Sequence, residues 1–190
     1  MASTADFRNG MVIDLEGTAF RIVEFQHVKP GKGGAFVRTK LKNVLTGAVI
    51  ERTYRSGEKF NEIRLERQDA QYLYFDGDLF HFMDVETYEQ FSMSTGQIGE
   101  DARFLKENGT VKVLNRDGKP FLIELPPHVV LTVTRTEPGV KGDTATGATK
   151  PAELETGLVV SVPLFIEEGD QLKVDTRTGV YLERVSTGSR

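Results

Sequence analysis

Lys29-Pro30-Gly31-Lys32-Gly33-Gly34-Ala35-Phe36 lies between two runs that read as β-strands. Residues 19–28 upstream are rich in β-branched and aromatic side chains, and residues 35–44 downstream alternate polar with apolar. Two such runs joined by a short Gly-containing segment predict a β-hairpin. Pro30 fixes its own φ and pushes Lys29 toward extended backbone. Gly31, Gly33 and Gly34 are free to take positive φ. The predicted tip therefore carries little bulk besides Lys32, an ammonium on a flexible stem, which suits insertion into a narrow polyanionic site. Lysine-bearing Gly/Pro turns also serve plain solubility. The stretch is not a Walker A loop, because no Ser or Thr follows the Lys and the glycine spacing differs.

Outward from this hairpin the chain reads as strands almost throughout. Residues 10–14 and 49–55 complete, with the hairpin, a small helix-free SH3-like barrel in the first 64 residues. Residues 71–75 and 79–83 flank Asp76-Gly77, a pairing that favours a type I′ turn. Residues 88–93, a short helix over 98–106, and strands at 111–114 and 120–125 follow. Five strands with one helix between the third and fourth is the pattern of an OB-type barrel. Pro126-Pro127 closes that unit. A further OB-type barrel is predicted from strands at 129–134, 158–162, 164–166, 171–175 and 179–185, with a long polar loop over 137–155 and a frayed tail from Ser186. The expected domains are 1–64, 65–127 and 128–190, and the fold class is all-β.

Charge is unevenly shared along the 190 residues. The net value of -4 is made of +4 over residues 1–64 (11 Lys/Arg, 7 Asp/Glu), -6 over 65–128 (6 and 12) and -2 over 129–190 (7 and 9). Such asymmetry points to a partner that touches one segment and not another. The basic segment holds the hairpin, and Arg38, Lys40 and Lys42 alternate along its returning strand, as a phosphate-tracking stripe or a solvated sheet face would. There is no cysteine, so neither a disulfide framework nor a thiolate zinc site is available. No run is apolar enough to span a bilayer and no export signal opens the chain, so the expected compartment is the cytoplasm, with no membrane partner.

No catalytic constellation emerges. His27, His81 and His128 fall in three different units, and none has a nucleophile or base at an informative spacing. Asp84, Glu86 and Glu89 lack the glycine and ligand spacing of a calcium loop and read as a solvated turn. Neither G-x-S-x-G nor H-E-x-x-H occurs. Two other readings compete. A general single-strand RNA-binding module would need aromatic platforms on a basic groove, whereas the aromatics cluster in the most acidic segment. A Schiff-base enzyme would need Lys32 desolvated in a pocket, which a glycine-flanked tip does not provide.

The chain resembles bacterial elongation factor P over essentially its whole length. The resemblance rests on the finger, residues 29–36, and on Asn43-Val44-Leu45-Thr46-Gly47. It continues through Tyr72-Leu73-Tyr74, Phe82-Met83-Asp84-Val85-Glu86-Thr87-Tyr88-Glu89-Gln90 and Gly139-Val140-Lys141-Gly142-Asp143-Thr144. It ends with Lys150-Pro151-Ala152, Val162-Pro163-Leu164-Phe165 and Lys173-Val174-Asp175-Thr176-Arg177-Thr178-Gly179-Val180-Tyr181. The resemblance implies a KOW-like barrel followed by two OB-type barrels, laid out as an L. It implies a factor without cofactor, metal or catalytic residue that binds the 70S ribosome between the P and E sites and restarts synthesis stalled at consecutive prolines. Lys32 would meet the CCA end of the P-site peptidyl-tRNA and be the target of a lysine-modifying enzyme, carried by Lys29, Pro30, Gly31, Gly33 and Gly34. Arg38, Lys40 and Lys42 would follow tRNA or rRNA backbone. Gly142, Asp143 and Thr144 would face the E-site codon and small subunit, and Tyr181 and Arg184 would contact tRNA. A monomer is expected, with the acidic middle unit turned toward protein or solvent.

Overall fold

The computed structural model describes residues 1–139 and 147–188. It is built from three sheets. The first contains β1 (Ala2–Ser3), β2 (Val12–Leu15), β3 (Thr18–Val28), β4 (Phe36–Asn43), β5 (Val49–Arg55) and β6 (Lys59–Glu62), ordered β1-β6-β2-β3-β4-β5. The alternation of β4 explains its orientation: Val37, Thr39 and Leu41 are buried while Arg38, Lys40 and Lys42 are exposed. Ile13, Ile22, Val37 and Leu41 form the apolar centre. A register shift between Ile22 and Glu24 leaves Val23 on the outside.

The first nine residues, which carry no clear pattern, nevertheless build part of this core. A 3-10 turn at Thr4–Asp6 delivers the buried Phe7 against Phe25, Tyr54 and Phe60, with ring centroids 6.2, 5.7 and 4.7 Å away. Strand β6 was also not expected. It holds only one buried residue, Phe60, so its sequence has no apolar alternation to read.

The second sheet contains β7 (Glu66–Phe75), β8 (Leu79–Asp84), β9 (Gln90–Ser94), β10 (Thr110–Arg116) and β11 (Lys119–Glu124), ordered β11-β10-β7-β8-β9. The predicted helix is shorter and earlier than expected. Helix α1 spans Thr95–Ile98 and is capped by Ser94, whose Oγ accepts the Gln97 N–H while Gln97 Oε1 accepts the Ser94 N–H. Gly99, at φ +56°, ends it, and a 3-10 segment follows over Gly99–Phe104. The Asp-Gly turn also differs. The Asp76 N–H donates to the Leu79 carbonyl, so the central pair is Gly77-Asp78, with positive φ at Gly77 alone. Asp76 instead accepts the Asp78 and Leu79 N–H groups, an Asx arrangement that outweighs the type I′ preference of its dipeptide.

The third sheet contains β12 (His128–Thr136), β13 (Thr149–Leu154), β14 (Val159–Pro163), β15 (Gln171–Asp175) and β16 (Tyr181–Ser186), ordered β14-β13-β12-β15-β16. Leu131, Val133, Leu154, Val162, Ile166, Leu172 and Val174 fill its core. Three expectations are corrected. β13 lies where a loop was predicted, because Lys150, Ala152 and Leu154 point inward despite the polar composition. Residues 164–166 form a turn, not a strand, with the Ile166 N–H donating to the Pro163 carbonyl. The tail is not frayed at its start: Ser186 lies in β16, and the Gly188 N–H donates to Asp170 Oδ1.

Spatially the chain forms two compact units, residues 1–68 with 114–122, and residues 69–113 with 123–190. Within the second unit, Phe104 joins the core of the third sheet, and Thr156 and Thr176 donate to the carbonyls of Arg103 and Pro126. No helix among the described residues is long and apolar enough to cross a membrane.

Candidate nucleic-acid interface

The finger grows from the longest pairing in the first sheet, which runs without a register shift from Glu24↔Lys40 outward. β3 and β4 remain in register to the pair Val28↔Phe36, and β4 and β5 to Phe36↔Arg55. One further bond, from the Ser56 N–H to the Ala35 carbonyl, extends this bracing to the base of the loop. Beyond it, residues 29–34 have no regular secondary structure, and all six are exposed.

The glycines of the tip do different work. Gly33 adopts φ +108°, a conformation that L side chains rarely take; a Cβ there would stand 3.9 Å from the Pro30 ring. Gly31 and Gly34 have ordinary negative or extended φ with open space where a Cβ would stand. A single glycine is therefore conformationally required at the tip; the other two keep it slim. Lys32 is exposed and, among the described residues, has no ion pair or hydrogen bond. Its side chain faces water, with no carboxylate in contact among the described residues.

The stripe on β4 is less uniform than its sequence suggests. Lys40 lies between Glu24 on β3 and Glu51 on β5 and approaches Glu24 Oε2 to 3.2 Å. Arg38 lies between Gln26 and Thr53 and rests over the Phe36 ring at 5.5 Å. Lys42 has Arg21 as one neighbour and Val49 as the other. Positive charge is thus concentrated at the two ends of the stripe and offset at its middle. A shallow hollow of about 290 Å³ runs across this face, lined by Glu24, Gln26, Arg38, Lys40 and Arg52 among others.

The remaining candidates belong to the second unit. Tyr181 is half-buried and packs against the third-sheet core. Arg184 lies over the exposed ring of Phe165, 4.9 Å from its centroid. Asp170, 3% exposed, sits beneath it. Burial alone would raise the Asp170 carboxyl pKa; bonds from the Glu167 and Gly188 N–H groups and the Arg184 charge overcome that, and the net shift is downward. Phe165 and Asp170 were not singled out from sequence, since nothing local marks a residue that supports an arginine from another segment. Gly142, Asp143 and Thr144 lie outside the described residues. His81 is tied to Asp76 at 2.7 Å and stacks on Tyr74, which gives it a structural partner on its own hairpin.

Comparison with known proteins bears on this arrangement. Three family models match in succession: the elongation factor P KOW-like domain over residues 3–60, the elongation factor P OB domain over 65–123, and the elongation factor P C-terminal domain over 129–184. Among curated relatives, elongation factor P of Agathobacter rectalis is 57% identical over 185 residues, covering 97% of this chain and all of the relative. Elongation factor P of Moorella thermoacetica is 58% identical over 184 residues with the same coverage. Among solved structures, a translation initiation factor 5A from Methanococcus jannaschii superposes with TM-score 0.51 at 24% identity, over 66% of this chain and 90% of that one. At that identity the likeness is one of fold alone.

Proposed function

The chain belongs to the elongation factor P family, and from that premise we propose that it binds the ribosome between the P and E sites and positions the P-site peptidyl-tRNA for peptide-bond formation at consecutive prolines. The coarse role, a translation elongation factor, goes with the family. The finer role is supported by one observation above the others: Lys32 is an exposed cation with no partner among the described residues, on a loop braced at its base.

Proline is a poor nucleophile and its ring constrains the nascent chain. Lys32 stands outside any closed cavity among the described residues, so it is suited to holding a substrate rather than to bond-making. Fixing a reacting end in productive geometry is worth up to about 7–11 kcal/mol in favourable systems. An ammonium beside crowded phosphates reduces their mutual repulsion. The protein acts as a positioning accessory, not an enzyme, and the ribosomal RNA carries the chemistry. Arg38 and Lys42 guide the finger along nucleic-acid backbone. Arg184 and Tyr181 contact tRNA, and residues 142–144 face the small subunit. A lysine-modifying enzyme acts on Lys32, and the factor works as a cytoplasmic monomer. The domain limits 64/65 and 127/128 belong to the same proposal, supported by three separate family-model matches.

The test is a reconstituted translation system reading a polyproline message. Lys32→Ala is expected to keep the melting temperature of the parent and to lose most of the rescue. Normal rescue by that variant would refute the proposal. The intact mass of the protein from its native host reads out modification of Lys32 directly.

A further inference from the structure

Three hairpins of the molecule are cut to one template. Their turns read Asn43-Val44-Leu45-Thr46-Gly47-Ala48, Asp84-Val85-Glu86-Thr87-Tyr88-Glu89 and Asp175-Thr176-Arg177-Thr178-Gly179-Val180, and they join β4 to β5, β8 to β9 and β15 to β16. In each, the Oδ1 of the first residue accepts the N–H groups of the third and fourth, at 2.7–3.1 Å. The threonine Oγ1 accepts the N–H of the sixth. The first and sixth residues pair through backbone, and the fifth donates to the first.

The fifth residue is left-handed in all three, with φ +76° at Gly47, +61° at Tyr88 and +71° at Gly179. Two copies use glycine, for which this conformation is free of Cβ conflict. The third uses tyrosine, a bulky residue for which it is unfavourable. The ring is not recovered by packing within the chain. Tyr88 is 70% exposed and has no ring, cation or side-chain hydrogen-bond partner among the described residues. Val85 of the same turn is exposed as well.

The surroundings select the kind of partner. Residues 68–102 contain no Lys or Arg and eight Asp or Glu. Phosphate backbone would be repelled there. At the template's third and sixth positions this turn alone carries acids, Glu86 and Glu89, where the others carry Leu45 and Ala48 or Arg177 and Val180. An exposed aromatic face flanked by carboxylates fits the ammonium or guanidinium group of a protein, through ring and charge together.

We propose that Tyr88 is a docking residue through which the β8–β9 turn engages a Lys/Arg-rich protein surface on the ribosome. This rests on the ribosomal role argued above. The experiment uses the full chain and purified 70S ribosomes. Tyr88→Gly is expected to melt at or above the temperature of the parent, because glycine suits the left-handed position, and to bind ribosomes on the order of tenfold more weakly. Tyr88→Phe, which keeps the ring, is expected to restore most of that binding. With p-benzoylphenylalanine in place of Tyr88, photo-crosslinking should give an adduct that resists ribonuclease and contains a basic peptide. If the parent binds and Tyr88→Gly binds equally, or the adduct is RNA, or no adduct forms, this inference falls while the proposed function stands. If the parent itself does not bind ribosomes, both fall.

Discussion

Arg184 Nη1 lies 3.5 Å from Oδ2 of the buried Asp170. The carboxylate also receives the Glu167 and Gly188 N–H groups, so a single acid joins a turn, the last described residue and the one arginine on β16. The arrangement holds Arg184 over Phe165 and defines how much of its charge reaches the surface.

Replacing Asp170 with Asn should therefore lower stability at neutral pH by about 1–3 kcal/mol, the cost of weakening buried charged hydrogen bonds. The folded carboxyl has a depressed pKa. Its contribution is complete above the unfolded value of about 3.9 and is lost as pH falls through the lower folded value. Melting curves between pH 7 and pH 2 should show the parent losing more stability than Asp170→Asn at the acid end. Parallel losses in the two proteins would contradict this.

Glu24 offsets the centre of the basic stripe. Glu24→Gln removes an exposed pair with Lys40, worth no more than about 1 kcal/mol, so the melting temperature should barely move. Ribosome association should strengthen and become more salt-dependent, since one more free cation faces phosphate. Association rates measured at two ionic strengths would decide it.

The tip glycines should separate by conformation. Gly31→Ala meets open space at an ordinary φ and is expected to leave polyproline rescue near normal. Gly33→Ala forces a side chain into φ +108°, at about 1–2 kcal/mol; the unbraced loop should rearrange instead, moving Lys32 and reducing rescue. Equal rescue by both variants would argue that the tip conformation is immaterial.

Phe7 tests the unexpected N-terminal contribution to the core. Phe7→Ala removes a ring touching Phe25, Tyr54 and Phe60 and should cost about 3–5 kcal/mol. Denaturant unfolding monitored on the full chain would show it; a change below about 1 kcal/mol would mean that the first nine residues merely lie on the barrel.

Much of this fold was legible in the chain itself, because a strand with one face in the core must alternate. Residues 36–43 declared their strand in this way; residues 49–55, of which Tyr54 alone is buried, declared theirs by β-branched and aromatic composition, and the glycine and proline of 29–36 declared the finger with Lys32 at its end. Tertiary structure decided what alternation does not encode. Strand β13 pairs on both edges, with β12 and β14, and carries Lys150 inward to donate to the Glu137 carbonyl, a circumstance invisible to the segment alone. Phe7 is core only because the barrel leaves it a place among three rings. Lys40 is paired with Glu24 and Arg184 with Asp170 because the fold brings together residues 16 and 14 positions apart in sequence. Local physics sets which backbone a segment prefers; only the completed packing decides which charges are left free to meet a partner.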